Sequence, residues 1–99
     1  SYEVEQAVLG HPAVVECAVI GVPADKEAGE DEVLAVVVAS EPGEAAEILA
    51  WCRGKIPGFA IPRYVRVVDA LPKTPSEKVR KAALRADGIT ADTYDSTAV

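Results

Sequence analysis

The chain has 99 residues, 49% of them hydrophobic, and a formal net charge of −6, which fits one small domain with a modest core and excludes general disorder. No apolar run approaches the ~18 residues that a membrane helix needs, and no basic flank precedes an apolar N-terminal core, so the expected setting is the cytoplasm. Cys17, Cys52 and His11 are too few and too scattered for a zinc site, and both thiols are expected to be free and buried.

In chain order, "SYEVEQAVLGHP" opens as a short amphipathic helix with Val4, Ala7 and Val8 on its inner stripe. Ser1 is placed to cap it, and Gly10 with Pro12 stops it. "AVVECAVIGV" (Ala13–Val22) reads as a strand with two largely apolar faces: Val14, Glu16, Ala18 and Ile20 on one, Val15, Cys17 and Val19 on the other. After the acidic turn "PADKEAGEDE", "VLAVVVA" (Val33–Ala39) makes a second strand, expected to pair antiparallel with the first. "EPGEAAEILAWCRGKI" is then helical, with Ala45, Ile48, Leu49 and Cys52 inward and Trp51 at the core's edge. "RYVRVVDA" supplies a third strand.

The last helix is expected within "LPKTPSEKVRKAALR" (Leu71–Arg85), with Thr74 as N-cap, Pro75 first in the helix and Glu77 closing a capping box. Val79, Ala82, Ala83 and Ala86 form its apolar stripe, and it ends near Gly88. Residues 90–99 lack periodicity and are expected to be loose. The order α-β-β-α-β-α implies a small α+β domain with a three-stranded sheet backed by helices.

The charges are segregated. Residues 1–50 hold eleven acids and one base, Lys26, whereas residues 51–99 hold nine bases and five acids. This asymmetry fits either a local anion-binding surface or a solvated acidic loop and a solvated basic helix face. Lys78, Lys81 and Arg85 fall on one face of the expected last helix, with Arg80 to the side. A cation in a first helical turn opposes the helix dipole by about 0.3–1 kcal/mol. Lys78 is therefore either an ordinary exposed lysine or a residue kept there to meet a phosphate or carboxylate.

Two motifs carry a family resemblance. "YEVEQAVLGHPAVVECAVIGVPAD" (Tyr2–Asp25) and "IPRYVRVVDALPKTPSEKVRK" (Ile61–Lys81) resemble, in order and separation, the "EVE…L..HP.V..aAVvGvPd" and "P..v..vd.LPkT.sGKi.r" of the C-terminal domain of adenylate-forming acyl-CoA synthetases. That superfamily includes fatty-acyl-CoA ligases, luciferases and peptide-synthetase adenylation domains, and "SYEVEQ" with "TPSEKVRK" is similar to its crotonobetaine/carnitine-CoA-ligase-like members.

The resemblance implies residues 1–89 as the small mobile domain of an ATP-dependent carboxylic acid–CoA ligase, truncated on its N-terminal side with the hinge absent. It implies Lys78 as the lysine that bridges the substrate carboxylate and the ATP α-phosphate while the acyl-adenylate forms. The domain then rotates to present another face to the CoA thiol, with Arg53, Lys55 and Arg63 as candidates for the CoA phosphates. For those three the alternative is a solvated helix end and strand entrance. The implied partners are an N-terminal adenylation domain and a carboxylic acid, with ATP, Mg2+ and CoA in the whole enzyme and neither cofactor nor activity in the isolated domain. The family usually has glycine where this chain has Glu77, which is expected to make a more regular helix start.

A second class of function is a stand-alone α+β module that holds an anion or a partner on its basic helix without catalysis. Nucleic-acid binding is disfavoured, because "GKIPG" (Gly54–Gly58) is not the GxxG clamp and aromatic residues make up only 5% of the chain.

Overall fold

In a computed structural model, which describes residues 2–23, 31–40 and 45–96 apart from the side chains of Asp31 and Phe59, the chain forms three helices and one mixed sheet. The order is α1 (Tyr2–Leu9), β1 (Val14–Pro23), β2 (Asp31–Ala39), α2 (Ala45–Cys52), a 3-10 turn (Gly58–Ala60), β3 (Tyr64–Val68), α3 (Lys81–Asp87) and β4 (Tyr94–Asp95). The Ser1 cap, most of the acidic turn and the start of the second expected helix lie outside the described residues.

The strands lie in the order β1-β2-β3-β4. β1 pairs with β2 antiparallel, as expected, whereas β3 runs parallel to β2. Parallel neighbours need a crossover connection, which α2 supplies. Valine-rich β2 lies inside the sheet and is covered on both faces, so it reads as a continuous apolar run. On one face Val4 and Val8 of α1 and Ile48, Leu49 and Cys52 of α2 pack on Val19, Ala35, Val37 and Val65. On the other, Leu71 and Leu84 pack on Ala18, Ile20, Val22, Leu34, Val36 and Tyr64. Cys52 is buried and Cys17 half-buried, both as free thiols.

Several expectations need correction, among them the apolar stripe Val79, Ala82, Ala83 and Ala86: Val79 lies ahead of α3, Ala82 and Ala86 are exposed, and Leu84 is the residue the helix buries. Strict alternation placed Val14 with Ala18 and Ile20, but the register shifts between Val14 and Glu16. This bulge turns Val15 outward, 56% exposed, and sends Val14 to the α1–α2 face with Val19. A bulge adds one residue to one strand and so reverses the parity beyond it. The sheet also has four strands, not three. The fourth, β4, pairs antiparallel with β3 inside the segment expected to be loose. Arg63 holds that segment through the carboxylate of Asp95 at 3.4 and 3.5 Å, and its carbonyl accepts the Ser96 N–H at 2.8 Å. Aperiodic residues can add a strand in this way, because a two-residue edge strand needs ladder hydrogen bonds and no apolar pattern. A further correction concerns residues 74–80 and is described with the site.

The edge strand β1 is closed by a side chain. Oε1 of Glu5 in α1 accepts the Val19 N–H at 3.0 Å and the Lys81 ammonium of α3 at 2.8 Å, tying the helices of opposite faces around the sheet edge. Partial burial pushes the Glu5 carboxyl up, but the hydrogen bonds from Lys81 and Val19 outweigh it and leave the group below its ordinary 4.5. A depressed carboxyl stabilises the fold fully above the unfolded value and loses that contribution as pH falls through the folded one. Thermal melting should therefore show Glu5→Gln costing stability at pH 7 and progressively less at an acidic pH below the ordinary carboxylate range. An equal cost at both values would mean that the Glu5 charge contributes nothing.

Candidate functional site

Lys78 is placed by a hairpin, not by a helix. The Thr74 N–H donates to the Lys78 carbonyl at 2.8 Å, and the Glu77 N–H donates to the Thr74 carbonyl at 2.9 Å. One rung further back Lys73 bridges Val79 antiparallel, and the Arg80 N–H donates to the Pro72 carbonyl at 2.8 Å. This is a three-residue hairpin loop, Pro75-Ser76-Glu77, of the kind whose last residue must be left-handed. Glu77 holds that conformation with φ of 68°. The Thr74 side chain does cap a backbone N–H, but it is that of Lys78, at 3.2 Å, across the loop.

The expected capping box and regular helix start at Glu77 are therefore not formed, and α3 begins only at Lys81. Pro75 preset φ equally well for the second residue of a turn, which is how it is used here. The usual glycine of the related motif at this position has a direct physical reason, because only glycine takes positive φ without steric cost. Glu77→Gly is expected to stabilise the domain by about 1 kcal/mol. Urea unfolding measures this, and a destabilisation would show that the Glu77 side chain outweighs its backbone strain.

The basic residues separate by role. Lys81 is paired with Glu5, Lys73 with Glu16 and Glu77, and Arg66 lies 3.3 Å from Asp92 and 3.8 Å from Asp87. Arg66 Nε is buried and does not meet hydrogen-bond geometry with Asp92, so that contact is an ion pair only. Lys78 is exposed at the hairpin tip, and no ion pair engages it among the described residues. The expected single helical face of Lys78, Lys81 and Arg85 is not formed, since Lys78 lies outside α3.

Arg53 and Lys55 fall together in the turn after α2, both exposed, where Gly54 takes φ of 86°. The Lys55 ammonium stands 4.0 Å from the centroid of the Trp51 ring, a cation–π contact. Trp51 itself edges the core as expected: its Nε1 donates to the Ala7 carbonyl at 3.0 Å, and its ring meets His11 edge-on at 5.3 Å. His11 is a turn residue, its Nδ1 accepting the Ala13 N–H at 3.1 Å. Arg63 is engaged within the domain: it lies 3.6 Å from Glu32 and is held by Asp95 just ahead of β3.

Among the described residues no cluster of His, Cys, Asp or Glu is arranged to hold a metal ion, and no helix is long and apolar enough to cross a membrane. Two open cavities of about 310 and 400 Å³ lie beside Val19, Lys81 and Arg85 and beside Tyr2, Gln6 and Lys55. Lys78 lines neither.

Residues 3–78 match the AMP-binding enzyme C-terminal domain. The chain belongs to that family. Known enzymes carry the same domain: the chain is 40% identical over 86 residues to the peroxisomal trans-cinnamate:CoA ligase of Petunia hybrida, covering 86% of this chain and 15% of that enzyme. It is 42% identical over 84 residues to the feruloyl-CoA synthase of an Amycolatopsis species, covering 84% and 17%.

Solved structures agree. The Mycobacterium tuberculosis fatty acyl CoA synthetase superposes with a TM-score of 0.78 at 31% identity over 86% of this chain and 17% of its own. ATP-bound MatB from Rhodopseudomonas palustris does so with a TM-score of 0.78 at 36% identity, again over 86% and 17%. This AMP-binding C-terminal domain thus spans about a sixth of the enzymes it matches. Their names include peroxisomal and mitochondrial enzymes. The fold expected from the sequence, a small α+β domain of acyl-CoA synthetase type, is borne out.

Proposed function

We propose that this domain is the mobile C-terminal part of an ATP-dependent carboxylic acid–CoA ligase and supplies Lys78 to the adenylation site of an N-terminal domain. The observation that carries the reading is the state of Lys78: exposed at the tip of a hydrogen-bonded hairpin, with its backbone fixed on both sides and its ammonium engaged by no ion pair among the described residues. Lys73 and Lys81, on either side of it, are both paired within the domain. A compact ammonium delivered this way suits the negative charge that develops on the α-phosphoryl oxygens as the carboxylate attacks and pyrophosphate leaves.

ATP, Mg2+, CoA and the carboxylic acid belong to the joined enzyme. The adenylation domain is assigned the metal along with the nucleotide. After adenylation, rotation of the domain withdraws Lys78 and turns another face to the site, a hinged switch of an established kind. Arg53 and Lys55, adjacent and exposed, are assigned to the phosphates of CoA. Arg63 is assigned a weaker part in that contact, because Asp95 and Glu32 already take its charge.

The test is complementation. The isolated domain is expected to give no ATP–pyrophosphate exchange, and its fusion to the N-terminal domain of a related ligase is expected to give exchange that the N-terminal domain alone does not. Exchange by the isolated domain overturns the proposal, and a fusion no better than the N-terminal domain alone overturns it in favour of a stand-alone binding module.

A further inference from the structure

We propose that Lys73 is a positioning residue for Lys78, holding the hairpin tip to the sheet through Glu16; this rests on the adenylation role proposed above. Lys73 and Val79 form the rung immediately behind the Thr74–Lys78 rung, so whatever fixes Lys73 fixes the base from which Lys78 projects. The Lys73 ammonium lies 2.5 Å from Glu16 Oε1 on β1 and 3.7 Å from Glu77 Oε2 at the end of the loop. One cation therefore joins the sheet and the hairpin tip.

The β1 bulge contributes to this arrangement. Its reversal of parity lets Val14 pack under α1 and α2, while Glu16 stays on the hairpin's face of the sheet with Ala18 and Ile20. The apolar anchors of the hairpin, Leu71 and the partly buried Val79, sit at its base. Among the described residues the Glu16–Lys73 contact is the charged link from the hairpin to the sheet. Both side chains are partly shielded, at 28% and 35% exposure, so the pair is less screened than a fully exposed one. The hydrogen bond and charge of Glu16, with those of Glu77, raise the Lys73 pKa and keep the residue cationic throughout the working range.

A pair of this kind contributes little to folding but sets where a reacting charge stands, and small displacements of a catalytic group are costly in rate. The test uses the ligase carrying this domain and follows the two half-reactions separately. Lys73→Met and Glu16→Gln are each expected to slow acyl-adenylate formation about three- to tenfold. Thioester formation from preformed acyl-adenylate should be unchanged in both. The double variant should be no slower than the slower single variant, since both remove one interaction, and Lys73→Arg should restore most of the rate.

Unchanged adenylation in Lys73→Met, or equal loss in both half-reactions, overturns the positioning role. Lys78→Ala, measured alongside, separates the two claims. If it cripples adenylation while Lys73→Met is silent, only the positioning role falls; if it leaves adenylation intact, the adenylation reading falls and this inference with it.

Discussion

Replacing Lys78 by alanine in a ligase carrying this domain is expected to slow acyl-adenylate formation by about 10²–10³-fold, the scale of losing one preorganised charge at a developing oxyanion. Thioester formation from preformed acyl-adenylate should stay within about threefold of the parent, because the proposed rotation withdraws the lysine in that step. Stability should barely change, since Lys78 is exposed and makes no ion pair among the described residues. Single-turnover assays of each half-reaction provide the measurement. A parallel fall in both would assign Lys78 to the structure of the hairpin instead of to the chemistry.

The second large effect is on folding. Leu34 is 1% exposed at the middle of the sheet, opposite Ile20 on β1 and Tyr64 on β3. Leu34→Ala is expected to cost about 2–5 kcal/mol, the transfer energy of the lost methyl groups plus that of the cavity left behind. Against a total of about 5–10 kcal/mol for a domain this small, that is a large share of its stability. Urea unfolding with an unchanged slope would show it, and a loss below about 1 kcal/mol would mean that the cluster around Leu71 and Leu84 collapses freely into the gap.

The regular elements were legible because their patterns had one physical solution. The two apolar faces read for β1 are both covered, by α1 and α2 on one side and by Leu71 and Leu84 on the other, and Ile48, Leu49 and Cys52 share one helical stripe that is buried as read. The misread parts were local choices that tertiary contacts settled. A Thr-Pro-Ser-Glu stretch serves as a helix start or as a turn, and it became a turn because Lys73 pairs with Val79 across it. The β1 bulge left no mark in composition, since Val14, Val15 and Cys17 are apolar on either parity. β4 was hidden because it is held by Arg63 and Asp95, residues far apart in sequence.

For the candidate site, the sequence nominated Lys78 and expected a helix start to present it, whereas a hairpin does so. The glycine of the related motif already pointed to a left-handed position before the lysine, and Glu77 at φ of 68° meets that demand at a cost in strain. The pairing of Lys73 with Glu16 was not readable, because it joins residues on two elements whose proximity only the fold creates.

The central claim is that an ammonium at position 78, and not the integrity of the hairpin, supports adenylation. Chemical rescue tests it most directly. Cys52 is fully buried, and burial pushes the Cys17 thiol up to about 12, so an alkylating amine should leave both native thiols of this domain alone. In a fusion whose adenylation domain lacks cysteine, Lys78→Cys should lose acyl-adenylate formation. Aminoethylation of the new thiol, which rebuilds a lysine-like ammonium, should restore much of it. If the aminoethylated protein, shown to be fully modified, stays as slow as the unmodified variant, Lys78 does not supply that charge and the account is wrong.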